Sequence, residues 1–177
     1  MSIRDGLRVA PSTIPGAKNG LFTTKPLNRG DFLGFYCGRE VDASAFGRVM
    51  EKDYAMEIAD GVSFVANPAR KKDRMAIINE APANRRANVL FRPYHLSDAF
   101  QRPVATAVAV YAAEAIPPKR ELFTHYGYSY DRVRKTKGYK VGSPAAAIPA
   151  SLLQDPRDVL AYLPLDAFVA IEKKRRK

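Results

Sequence analysis

The chain is poor in the residues that close disulfides and bind metals. Its 177 residues include one cysteine, Cys37, and two histidines, His95 and His125. A single cysteine excludes an internal disulfide and fits a reducing compartment. One Cys and two His cannot complete a four-ligand zinc site without several carboxylates, so no structural metal is expected. No apolar run approaches the ~20 residues that span a bilayer. Residues 1–6 lack the apolar centre of a secretory signal, and no membrane partner is expected. There is no internal repeat. Acidic residues are also in deficit, with 18 Asp/Glu against 29 Lys/Arg and a net charge of +11. Residues 131–177 alone hold 11 Lys/Arg against 5 Asp/Glu, so over half of the excess lies in the last quarter. Such a clustered excess points to an acidic partner, nucleic acid or a complex containing it.

What is present reads as one domain with an appendage, long enough to bury a core. A hydrophobic content of 46% fits a globular chain. Short runs with period-2 or continuous apolar character predict strands over 9–13, 21–24, 32–38, 54–58, 62–65, 89–91 and 104–113, with another leaving Glu121. Asp60-Gly61 predicts a hairpin turn. Phe46, Val49 and Met50 have weak helical spacing within 42–52. Residues 75–78 read as a short helix or strand, and residues 94–102 as a polar insertion. Asp155-Pro156 can start a helix that Pro164 cuts short, and residues 166–171 suggest a second. Many short strands, Gly/Pro turns and little helix predict a mostly β domain with short helices.

The stretch Ile77-Ile78-Asn79-Glu80-Ala81-Pro82-Ala83-Asn84-Arg85-Arg86-Ala87-Asn88-Val89 organises the chain. A buried segment ends on an amide, makes an irregular excursion and returns to the core at Asn88. Loops held by rigid flanks are where function tends to sit. Three separated features then fall in order. They are Lys18-Asn19-Gly20-Leu21-Phe22, Asn79 with Asn88, and Glu121-Leu122 with Tyr126-Gly127.

In order and separation these features resemble the SET-domain family of protein lysine methyltransferases, over roughly residues 5–130. Gly20-Leu21-Phe22 resembles the family's glycine-rich donor-binding segment, although its first glycine falls on Lys18. Asn79 matches the asparagine of the Asn-His-Ser-Cys signature, with Glu80 in place of His. His125 stands where the family has Asp before Tyr-Gly. The resemblance implies a SET fold of several small curved sheets with knot-like C-terminal threading. It makes residues 131–177 a C-terminal extension that closes the lysine channel, without the zinc clusters many members carry. The compact, zinc-free build looks like that of viral and some microbial members.

The resemblance also implies a chemistry. S-adenosylmethionine would be the cofactor, donating a methyl to a protein lysine amine. Catalysis would fall to Tyr126, with Tyr54 lining the lysine channel. Lys18, Asn19, Gly20, Leu21, Asn79, Glu80 and Tyr126 would hold the donor. Tyr128 and Tyr130 are further candidates, and Asn88 is expected to fix the long loop. In-line displacement needs reacting atoms ~3–3.5 Å apart. It also needs a neutral amine, which a narrow apolar channel favours because burial penalises the ammonium. An ionised carboxylate at Glu80 can accept hydrogen bonds but not donate them, so the network around it must differ from the family's. Histone tails are the expected substrate, and the basic end at 173–177 an expected nucleic-acid contact. A nuclear location (the host nucleus for a viral source, otherwise the cytoplasm) and homodimer formation are further expectations. Two other readings stay open: a catalytically silent SET-like module that binds chromatin or a protein partner, and a small basic β-domain that binds nucleic acid.

Overall fold

The computed structural model describes residues 6–42, 45, 54–59, 62–126 and 140–170. Strand β1 (Leu7–Pro11) pairs antiparallel with β2 (Asn19–Thr23), Pro11 opposite Asn19 and Leu7 opposite Thr23. Strand β3 (Phe32–Tyr36) leads to β4 (Arg39–Asp42). Strands β5 (Ala55–Ala59) and β6 (Val62–Val65) form the hairpin, and β6 lies between β4 and β5. A 3-10 turn, Lys71–Ile77, delivers the chain to β7 (Asn79–Glu80). Then come β8 (Val89–Ser97), β9 (Pro103–Ala112) and β10 (Phe123–Thr124). A short helix, Pro156–Val159, a 3-10 turn, Leu165–Ala167, and β11 (Val169–Ala170) follow. The domain is mostly β, built of several small sheets. Bulges in β3, β5 and β9 bend them, as an extra unpaired residue in one strand does.

Strand β9 is the axis. Its small and branched residues are buried on both faces, so it reads as a near-continuous apolar run. Strand β8 covers one of its edges, and β3 covers residues 108–111 of the other. Val108, Val110 and Ala112 face one core cluster with Leu21, Leu33, Tyr36, Met75, Ile78 and Leu122. Ala107, Ala109 and Tyr111 face a second with Phe32, Phe35, Ile148 and Ala167. Each fully buried large aliphatic contributes about 1.5–3 kcal/mol through its removal from water.

Three elements differ from the sequence expectation. Residues 94–97 are not part of a polar insertion but continue β8. Pro93 does not interrupt the strand, because among the described residues β8 pairs only with β9, and proline is tolerated on an edge strand. Residues 166–170 hold the end of a 3-10 turn and then a strand, not a second helix, and residue 171 lies outside the described residues. Val169 and Ala170 pair with Thr106 and Ala105, the part of the β9 edge that β3 leaves open. Residues 39–41, given no element by the pattern, and Asp42, placed at the head of the weakly helical stretch, form β4 against β6. The helical spacing at Phe46, Val49 and Met50, the Asp60-Gly61 turn, Gly127, Tyr128, Tyr130 and the basic end at 173–177 lie outside the described residues.

The organising loop is clasped from two sides. Strand β10 runs parallel to β7, Phe123 beside Asn79 and Thr124 beside Glu80. The Ala81 N–H donates to the Thr124 carbonyl at 2.9 Å, while the Ala81 carbonyl accepts from Gly142 N–H at 2.7 Å. Farther round, Asn88 N–H donates to Phe123 carbonyl and Ala87 N–H to Ser143 carbonyl, each at 2.9 Å. Chain from either side of 127–139 therefore holds the same loop. The short helix lies elsewhere. Val159 and Leu160 pack on the Phe35–Tyr111 cluster, across the sheet from Tyr36 and Val108.

Candidate functional site

Asn79 stands where the 3-10 turn ends and β7 begins, and three segments meet at its side chain. Its amide nitrogen donates to the Asn19 carbonyl at 2.8 Å, to Glu121 Oε1 at 3.1 Å and to Ser12 Oγ at 3.2 Å. A backbone carbonyl and a carboxylate can only accept, so they fix which way the amide points. Among the described residues no donor reaches Asn79 Oδ1. That oxygen is an acceptor on the half-buried rim of β7, beside the exposed Lys18 and Asn19.

Glu121 is the hub beneath this rim. It is buried, and it accepts from Ser12 Oγ at 2.6 Å and from Thr13 N–H at 2.7 Å and Oγ1 at 2.5 Å. Charge-assisted bonds of this kind are roughly twice as strong as neutral ones. They tie the end of β1 to the start of β10 and leave β2 between them. Gly20 of β2 is buried against that carboxylate, and a Cβ there would fall on Glu121 Oε1. The glycine is therefore required for close approach rather than for its backbone angles. Leu21, by contrast, sends its side chain into the core with Leu122.

On the far side of Ile78 lies a cavity of about 430 Å³. Tyr126, His125, Tyr36, Met56, Met75, Ile78, Phe91 and Val108 line it, with Glu57 and Arg92 also in its wall. The Tyr126 phenol donates to the Ile78 carbonyl at 2.9 Å, and its backbone N–H donates to Glu80 Oε1 at 3.0 Å. Glu80 is buried, so the residue standing in the family's histidine position serves as a carboxylate acceptor under Tyr126. Asn88 is buried beneath the same strand. It donates to the Glu121 carbonyl at 3.0 Å and accepts from Phe123 N–H at 2.8 Å, which makes it a brace for the loop.

The structure thus brings Lys18, Asn19, Gly20, Asn79, Glu80 and Tyr126 into one neighbourhood. Tyr54 stands apart. It is 36% exposed and absent from the cavity lining, and its carbonyl accepts from Tyr36 Oη at 2.6 Å. The next residues, Ala55 and Met56, are the ones in the wall. Sequence reasoning did not single out Tyr36, Ser12 or Thr13. Tyr36 sits in an aromatic strand where nothing local separates a cavity tyrosine from a core one. The paired hydroxyls at 12 and 13 gain meaning only from a carboxylate 109 and 108 residues away.

No protein-family model matches the sequence, and no curated protein matches it. Solved structures do match. One is the polycomb repressive complex 2 (PRC2) of Chaetomium thermophilum, at 16% identity and a TM-score of 0.57, over 76% of this chain and 16% of that one. Another is Arabidopsis thaliana SUVH6 in complex with SAM, at 23% identity and a TM-score of 0.55, over 76% of this chain and 29% of that one. The fold is a SET-like fold. At these identities the likeness concerns the fold alone, and the chain spans under a third of either matched protein.

The residues present suit a SET-type donor, S-adenosylmethionine. Gly20 lets β2 close on the Glu121 carboxylate, which in turn fixes the Asn79 amide. The Asn79 oxygen and the carbonyls near it are acceptors, the polarity an ammonium group needs.

Proposed function

We propose that this protein is a protein lysine N-methyltransferase that uses S-adenosylmethionine and acts on histone tails. The observation that carries the proposal is the Tyr126 phenol, held 2.9 Å from the Ile78 carbonyl in a largely apolar cavity, one residue before Asn79. Lys18, Asn19, Gly20 and Asn79 would hold the donor, which supplies an electrophilic methyl when bound. Everything else falls to this chain's own side chains.

Met56, Met75, Phe91 and Val108 surround a substrate amine with carbon and sulfur. Such walls disfavour the ammonium and lower the amine's pKa, so that its lone pair is exposed for attack. Tyr126 donates its hydroxyl hydrogen bond to the Ile78 carbonyl, so its oxygen meets the substrate as an acceptor. An acceptor at that point takes an amine N–H and aims the remaining lone pair along the line of displacement. Glu80, accepting from the Tyr126 backbone, fixes where that phenol stands. In this reading Tyr54 contributes through its carbonyl, by anchoring Tyr36, rather than through its ring.

The positive charge of the chain supports a nuclear location and a nucleic-acid contact through the basic end at 173–177, and histone tails enter the proposal as the proteins that lie beside that DNA. Homodimer formation belongs to the same proposal. Titration calorimetry with S-adenosylmethionine tests the donor site. Transfer of radiolabelled methyl to core histones, with Tyr126→Phe alongside, tests the reaction. Transfer that falls at least tenfold in the variant, with donor affinity kept, supports the reading. Donor binding without transfer would leave a silent SET-like module. No donor binding at all would leave a basic β-domain.

A further inference from the structure

A second concavity, about 290 Å³, opens on the other side of Glu121 and shares no lining residue with the Tyr126 cavity. Two loops bring four cations to it: Arg85 and Arg86 from the organising loop, Lys119 and Arg120 from the turn before Glu121. Only Glu114 and Glu121 oppose them, and the Glu121 carboxylate is already hydrogen-bonded by Ser12, Thr13 and Asn79. The arginines of the organising loop are placed rather than loose. Arg85 lies over the Phe123 ring at 5.2 Å and donates to Thr13 Oγ1 at 3.1 Å, and Arg86 Nε donates to the Pro144 carbonyl at 3.0 Å. Lys119 holds φ at 62°, a left-handed conformation uncommon for a residue with a Cβ. Its N–H is tied to the Thr23 carbonyl at 2.8 Å. Among the described residues, neither the Lys119 nor the Arg120 side chain makes a hydrogen bond or ion pair.

We infer that this groove is a binding site for the phosphate backbone of duplex DNA. Guanidinium forks match phosphate oxygens two at a time. A duplex presents one negative charge per ~1.7 Å of axis, the densest partner for a chain of charge +11. The groove's rings decide between duplex and single strand. Single-strand sites need open aromatic faces on which bases stack. Phe22 and Phe123 are 8% and 3% exposed, so they are floor rather than platform. Contacts of this kind position without reading sequence. The choice of DNA rests on the chromatin-directed reading above, but the four cations are neither residues of the basic end at 173–177 nor lining of the Tyr126 cavity, and the groove shares Glu121 with the donor rim.

The test is fluorescence anisotropy of a labelled 20-base-pair duplex with the full chain, without S-adenosylmethionine or histone, across a salt series. Three variants accompany the wild type: Lys119→Ala/Arg120→Ala, the charge-keeping Lys119→Arg/Arg120→Lys, and residues 173–177 changed to alanine. The expected result is several-fold weaker binding for the first, with a log–log salt slope shallower by about two. The charge-keeping pair should bind as wild type does, and thermal melting should be unchanged in both. Loss of affinity confined to the 173–177 variant overturns the inference, as does an absence of duplex binding. So does tighter binding of a labelled acidic peptide than of DNA at equal salt. Because no methyl transfer enters the measurement, its failure is distinct from failure of the catalytic proposal.

Discussion

The backbone N–H of Tyr126 donates to the buried carboxylate of Glu80 across 3.0 Å. Glu80 ends β7 and Tyr126 lies two residues past β10, the strand parallel to it, so the bond is made just past the end of their pairing. Replacing Glu80 with alanine leaves that N–H without its acceptor, at a cost of about 1–3 kcal/mol. Glu80→Gln keeps an acceptor oxygen of the same reach. Urea unfolding should therefore show a clear drop in midpoint for the alanine variant and little change for glutamine. Methyl transfer should follow the same order, since the bond positions the phenol. Equal loss in both variants would mean that the carboxylate charge itself matters.

Glu121→Ala removes one acceptor from Ser12, Thr13 and Asn79 together. Bonds to a charged group contribute roughly 1.5–3 kcal/mol each, though not additively when they share one carboxylate. The expected loss of stability is about 2–4 kcal/mol. Donor affinity should fall further than stability alone predicts, because Asn79 and the Gly20 strand both lose their reference point. Gly20→Ala probes the same place from the other side, since its Cβ would displace the carboxylate. Calorimetry on the two variants should give parallel losses of donor binding.

Much of this arrangement was legible in the chain, and the remainder had physical reasons to be hidden. Strand β9 could be read because burial on both faces makes an uninterrupted apolar run. The motifs at Gly20, Asn79 and Tyr126 could be read because their order resembles a known family's. Strand β11 could not, because two residues form a strand only where β3 leaves part of the β9 edge uncovered. The reach of β8 past Pro93 depends on that residue facing an edge, which local pattern does not reveal. Tyr54 and Tyr36 show the same limit. Both are strand-region tyrosines, and only tertiary packing decides which ring enters the cavity and which carbonyl holds it there.

Gly142 closes the clasp on the organising loop. A Cβ at this position would collide with the backbone carbonyls of Arg85 and Pro82, atoms that cannot swing aside. Gly142→Ala should destabilise by about 1–3 kcal/mol through overpacking. It should also speed hydrogen exchange at Ala87, whose N–H is held by the adjacent Ser143. Gly16→Ala is the comparison. Nothing lies near its Cβ, and only its left-handed backbone, φ 84°, resists the change. That substitution should cost about 1 kcal/mol and leave exchange at Ala87 as it was.

Asp155 joins the C-terminal extension to the main sheet through charge. Its carboxylate caps the Pro156–Val159 helix by accepting from Arg157 N–H at 2.8 Å, and it takes the Tyr94 phenol at 3.2 Å. The Arg157 side chain, donating at 2.6 Å, is the main reason its pKa is held down to about 2. In the unfolded chain the same group titrates near ~3.9. The folded state thus binds this proton less readily than the unfolded one. The resulting stability is present in full above about pH 4 and is lost as pH falls towards 2. Asn caps a helix about as well as Asp, so Asp155→Asn isolates the charge from the cap. The wild type should unfold at higher urea than the variant at pH 6, and the gap should close by pH 2. Because Arg157 is largely exposed, added salt should narrow the gap at pH 6 as well. A gap that persists unchanged at pH 2 would assign the difference to hydrogen-bond geometry rather than to ionisation.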